Sequence, residues 1–144
     1  MLPGVLSGEY RHTLDPKNRL FIPAKHREEL GDSFMVVRSI RESCLQIYSL
    51  EEWDKYIEPI KKMERRDSEK ILRVLHRNAA QVSPDAQGRI VLPISLIQHA
   101  EIVKGAVVVG CGSYGEIWSE ENYDKAMEAE DLDDVKNVLE SFGL

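Results

Sequence analysis

What the chain lacks narrows its class first. Its 144 residues include only two cysteines, Cys44 and Cys111, with no CxxC spacing and no second metal-ligand pair, which argues against a disulfide framework or a zinc ribbon. The longest apolar run, 105–112, falls well short of the roughly 20 residues a membrane helix needs. The opening Met1-Leu2-Pro3-Gly4 carries neither a basic region nor a continuous apolar segment of the secretory kind. These absences point to a reduced, cytoplasmic compartment and no membrane partner. His12, His26, His76 and His99 are scattered, HExxH is missing, and no glycine loop is placed to cradle phosphate. His12 stands three residues before Asp15, but on a strand-to-turn segment that spacing reads as packing or surface. No catalysis, cofactor or metal is expected.

An excess of positive charge is also missing. Twenty-five acids against 19 bases give a net charge of −6, which taken alone argues against a polyanion binder. The distribution changes that conclusion. From Glu116 onward ten acids face two bases, a local −8, so the preceding residues carry +2. The composition, 42% hydrophobic and 31% charged, is that of a folded chain, and the length fits about one domain.

What is present is a repeat. Shifting the sequence by 70 positions lays Asp15-Pro-Lys-Asn-Arg-Leu-Phe-Ile-Pro23 on Asp85-Ala-Gln-Gly-Arg-Ile-Val-Leu-Pro93. The same offset, without a gap, matches Ile47-Tyr48-Ser49 to Ile117-Trp118-Ser119 and Asp54-Lys55 to Asp124-Lys125. The chain is therefore a tandem duplication of one small unit.

Periodicity and punctuation read each unit as β-β-α-β-β. In the first copy, short β-prone runs at 9–14 and 19–22 flank Asp15-Pro-Lys-Asn. Asp followed by Pro favours a type I turn, and a left-handed residue after it completes a three-residue hairpin loop. Position 18 is Asn and its mate is Gly88, the two residue types that most readily accept positive φ. Prolines at 23 and 93 suit the start of short helices at 24–30 and 94–100. Strand pairs follow at 34–40 with 44–49, and at 106–111 with 115–118. Helical signals at 50–57 and 69–77 lie between the units, Ser49 capping the first and Asp67 or Ser68 the second. Two more, 120–130 and 132–142, follow the second unit. The resulting division is unit 1 at 8–54, a helical connector at 55–80, unit 2 at 82–126 and an acidic C-terminal helix at 127–144. Leu132, Val135, Leu139 and Phe142 share one face of that last helix, a stripe suited to core or subunit packing.

The paired elements His12-Thr-Leu-Asp-Pro-Lys-Asn-Arg-Leu-Phe-Ile-Pro-Ala24 and Asp85 to Pro93, with Leu45 to Tyr48 and Glu116 to Trp118, closely resemble the MraZ family of bacterial transcriptional regulators. The likeness runs from about Gly8 to Tyr123. It implies an α+β, mainly β fold of two swapped-hairpin SpoVT/AbrB-like units closed into a pseudo-twofold barrel. It also implies a homo-oligomeric ring, octamer or dodecamer, that binds double-stranded DNA at direct repeats. The targets implied are the division and cell-wall gene cluster and the protein's own promoter, with repression the favoured outcome and the nucleoid the place of action. The family pattern usually has Gly where Asn18 stands, a substitution the turn tolerates.

That resemblance places the DNA-contacting Arg at Arg19 and a companion Lys at Lys17. Arg89 and Gln87 are their second-copy counterparts, and Asp15, Asn18, Asp85 and Gly88 set the turn geometry. Arg11 joins the site through local charge: Arg11, Lys17, Arg19, Lys25 and Arg27 face the single acid Asp15, whereas 81–97 has only Arg89 and Asp85. The first unit is thus expected to face DNA. A guanidinium offers a planar donor fork suited to guanine or phosphate; the competing role is an ion pair with the Asp of its own turn. A non-catalytic scaffold, or an antitoxin-like AbrB module, is the alternative function.

Overall fold

The computed structural model describes residues 4–144; the opening Met1–Pro3, read above for a signal, lie outside the described residues. The first unit contains β1 (Glu9–Thr13), β2 (Arg19–Phe21), α1 (Ala24–Leu30), β3 (Phe34–Arg38) and β4 (Leu45–Ser49). After α2 (Leu50–Lys61) and α3 (Arg65–Arg77), the second unit repeats the order as β5 (Ala80–Val82), β6 (Arg89–Val91), α4 (Ile94–Ala100), β7 (Gly105–Gly110) and β8 (Gly115–Ser119). The helices α5 (Glu120–Glu128) and α6 (Leu132–Ser141) close the chain.

The two units interleave. β1 pairs antiparallel with β7 of the other unit, β5 pairs with β3, and β2 pairs with β6. β3–β4 and β7–β8 are hairpins within their units, joined across the middle by β4–β8. The result is a six-stranded sheet, β1-β7-β8-β4-β3-β5, and a separate β2–β6 ribbon. Neither unit is complete alone, as expected of pieces too small to bury a core.

Alternation along the central strands explains the layers. Phe34, Val36, Leu45, Ile47, Ala106, Val108 and Ile117 point to one face, where they meet Leu20 and Ile90 of the ribbon and Leu30, Leu96 and Ala100 of α1 and α4. Val37 and Tyr48 point to the other face and pack under Trp53, Ile57, Ile60 and Leu75 of α2 and α3. Val107 and Trp118 do the same beneath Tyr123 of α5. Burial on both faces accounts for the unbroken Val107-Val108-Val109 run.

Two expectations need correction. The fold is α+β, but more residues lie in helices than in strands, so it is not mainly β. Nor do the strands close into a barrel. Among the described residues, β1 and β5 remain the two edges of the sheet, because the three-residue β2 and β6 use their ladder bonds on each other. Some helix boundaries also move. Ser49 caps α2 as expected, accepting from the Glu52 N–H at 3.1 Å, but the helix runs on through Pro59 to Lys61. α3 begins at Arg65, which leaves Asp67 in its first turn and Ser68 buried rather than at the cap. Pro23 and Pro93 sit at the residue before the helix, in extended geometry.

Candidate nucleic-acid interface

The site starts from one carboxylate in each copy of the turn. Asp15 Oδ1 accepts from the backbone N–H of Lys17 (2.9 Å) and of Arg19 (2.8 Å), while its Oδ2 takes the Arg19 Nε–H at 2.6 Å. Asp85 repeats the arrangement with Gln87 N–H (2.9 Å), Arg89 N–H (3.0 Å) and Arg89 Nε–H (2.9 Å). In each turn the backbone N–H of the fourth residue donates back to the Asp carbonyl, Asn18 to Asp15 and Gly88 to Asp85. Asn18 has φ 61° and Gly88 φ 81°, so both copies place a left-handed residue where the sequence requires one. Gly88 has a second constraint: a Cβ there would stand 2.9 Å from Arg27 Cζ and 3.0 Å from Phe21 Cε2.

Strand alternation then aims the arginines. On the ribbon, Leu20 faces Ile90, and both are fully buried. Their neighbours Arg19, Phe21, Arg89 and Val91 therefore point outward together, with Arg19 opposite Val91 and Phe21 opposite Arg89. Arg27 extends this face, its guanidinium 5.7 Å from the Phe21 ring centre and its Nε–H donating to the Ile22 carbonyl at 2.9 Å. His12 packs edge-on against Phe21 at 4.8 Å, a packing role rather than an acid/base pair with Asp15.

The two turns are also brought together. Arg89 Nη1 lies 4.0 Å from Asp15 Oδ2, so an acid of the first copy touches the arginine of the second. The interleaved pairing puts both turns on one ribbon, so the first unit, expected to face DNA, shares this surface with the second. Phe21, not singled out in the sequence, shares this face with Arg27. Arg27 belongs to the basic run of 11–27, and the β2–β6 pairing sets it beside Gly88.

Arg19 and Arg89 both make the ion pair with their own Asp, and they differ in what is left over. Arg19 spends its Nε–H on Asp15 at 2.6 Å, and neither of its Nη groups makes a hydrogen bond among the described residues. Arg89 commits Nε and also Nη2, the latter 2.9 Å from Asp85 Oδ2. For Asp15, partial desolvation pushes the carboxyl upward, but the Arg19 and Lys17 N–H donors and the Arg19 charge outweigh it and hold it below its ordinary value. Asp85 is lowered too, chiefly by the Arg89 backbone N–H. Lys17 and Gln87 are exposed at the tips of the turns.

Arg11 is not part of this group. Its guanidinium binds Asp124 at 2.8 Å and Glu120 at 3.1 Å on α5, with Glu9 at 3.9 Å and the Tyr123 ring centre 5.6 Å away. The Asp124 bond, more than the other acids, raises its pKa. Elsewhere, Glu42, Cys44 and Glu116 bring ligand-type atoms within 4.8 Å of one another. Burial, with the nearby carboxylates, pushes the Cys44 thiol up to about 12, which opposes the thiolate a metal would need.

Two tandem segments, 5–74 and 75–138, match the family described as "MraZ protein, putative antitoxin-like". The chain belongs to the MraZ family of transcriptional regulators. Proteins named "Transcriptional regulator MraZ" from Ligilactobacillus salivarius and Oenococcus oeni are 43% and 40% identical, each match covering 95% of this chain and 98% of the relative. The Heliobacterium modesticaldum protein of that name is 38% identical over the same shares. Since MraZ is a family of regulators and not of enzymes, the scattered histidines need no catalytic explanation. Among the described residues no helix is long and apolar enough to cross a membrane.

Proposed function

We propose that this MraZ-family regulator binds double-stranded DNA at direct repeats through the outer face of the β2–β6 ribbon. Arg19 is the principal base-reading group, with Lys17 on phosphate and Arg89, Gln87 and Arg27 as flanking contacts. The observation carrying this reading is the convergence of two Asp-braced arginines on one outward face. Bracing at Nε fixes each guanidinium plane and leaves the Nη edge of Arg19 to reach a guanine or a phosphate.

One ribbon supplies few charges, so its attraction to DNA is weak and falls steeply with salt. Homo-oligomerisation removes that weakness: once one copy is seated, the next contact is intramolecular and avidity rises by ~10² to 10⁴. A homo-oligomeric ring meeting successive boxes fits this requirement, and occupancy of the protein's own promoter and of a division and cell-wall cluster makes it a repressor acting at the nucleoid. A gel-shift titration against the DNA upstream of its own coding region tests the proposal. A salt-sensitive shift that needs short direct repeats supports it; no shift at low salt from the folded oligomer favours a scaffold or antitoxin-like role.

A further inference from the structure

Every residue from 127 to 144 is exposed, and α6 buries none of its side chains. Its composition does not suit that position. Leu132, Val135, Val138, Leu139 and Phe142 lie within one stripe of the helix, and Leu132 and Phe142 are 74% and 78% exposed. A ten-residue helix is marginal in water by itself, so a stable α6 needs a surface to lie on. The same segment is acidic: Glu128, Glu130, Asp131, Asp133, Asp134 and Glu140 stand against Lys136.

That charge decides between surfaces. Packing α6 against α6 of a second copy would crowd acid on acid. The outer stripe of α3, Arg66, Lys70, Arg73 and Arg77, is basic but offers no apolar seat. A groove of about 490 Å³ beside α2 combines aromatic rings with one unpaired cation, its remaining lining being polar, with the acid Glu52 neutralised by Lys55. Tyr48, Tyr56 and Tyr114 line it, their rings 5.4 and 5.7 Å apart, and Ile40, 57% exposed, forms its lip. Arg41 stands at its rim without an ion-pair partner among the described residues, and Lys55 lies beside it, already shared with Glu51 and Glu52.

We propose that α6 of one copy seats its Leu139–Phe142 stripe in the tyrosine groove of a second copy, its acids meeting Arg41. Donor and acceptor are different surfaces of one chain. The contact is therefore heterologous, and repetition gives a closed ring or an open chain, not an isolated dimer. This rests on the oligomeric reading above and names the surfaces that produce it.

Light scattering of the full chain without DNA tests it. Wild type should be an oligomer, whereas Leu139→Asp/Phe142→Asp and, separately, Ile40→Glu/Arg41→Glu should each fall to the 16.5 kDa of one chain with unchanged circular dichroism. Leu139, Phe142, Ile40 and Arg41 all lie outside the ribbon, so each variant should still bind a single DNA box as a lone chain. Mixing the two variants leaves one intact donor and one intact acceptor, and the result should be a dimer and nothing larger. A monomeric wild type, an unchanged size in either variant, or a mixture that stays monomeric overturns the proposal. Loss of single-box binding by both correctly sized monomers would count against the DNA reading and leave the α6 contact standing.

Discussion

At Asp15 and Asp85 one carboxylate serves two purposes. Oδ1 holds the turn through backbone N–H groups, and Oδ2 fixes the guanidinium that the turn presents. Both carboxyls are held below their ordinary values, so the stability they contribute is fully present above the ordinary carboxylate range and is lost as pH falls through their folded-state values. Carboxyl NMR titration should find both midpoints below the ordinary aspartate value of about 3.9; values at or above it would contradict the bracing. Asp15→Asn keeps an oxygen for the backbone donors but removes the charge facing Arg19 and Arg89. It should leave the chain folded, raise affinity for non-specific DNA and narrow the gap between specific and non-specific binding, as competition titrations would show. Arg11→Ala should loosen α5 and lower the melting temperature while leaving DNA affinity unchanged, since its guanidinium is already held by Glu120 and Asp124.

For the elements, the ribbon is the critical piece. Leu20 and Ile90 are fully buried beneath it, and Leu20→Ala should cost about 2–5 kcal/mol in urea unfolding, the range for emptied aliphatic core sites. Asn18→Val should cost ~1–2 kcal/mol because a β-branched residue resists φ 61°, whereas Asn18→Gly should be nearly neutral. Much of this was readable in advance. The turn chemistry of Asp15-Pro-Lys-Asn, the left-handed position shared by Asn18 and Gly88, and the Ser49 cap are all local. Pairing is not local: nothing in 9–22 itself distinguishes a hairpin that closes on itself from one whose strands part to join β7 and β6, and only the family resemblance implied a swapped hairpin. The Arg11 and Arg27 environments depend on that long-range choice: the β1–β7 pairing sets Arg11 against Glu120 and Asp124 of α5, and the β2–β6 pairing sets Arg27 beside Gly88.

For the whole molecule, the net negative charge is concentrated from Glu116 onward, ending in a segment, 127–144, that buries nothing, while the ribbon of 19–21 and 89–91 turns its arginines outward. The duplicated unit gives two turns on one surface, and an oligomer would multiply that surface along repeated boxes. Lengthening the spacing between boxes by half a helical turn should therefore weaken binding greatly, because successive ribbons would meet the wrong side of the duplex. The most direct measurement is the affinity of Arg19→Ala for the protein's own upstream DNA, by anisotropy at fixed salt, with oligomer mass and melting temperature followed in parallel. The predicted result is near-complete loss of specific binding with mass and melting unchanged, and a smaller loss for Arg89→Ala, whose guanidinium has fewer free donors. Wild-type affinity in Arg19→Ala would contradict the account.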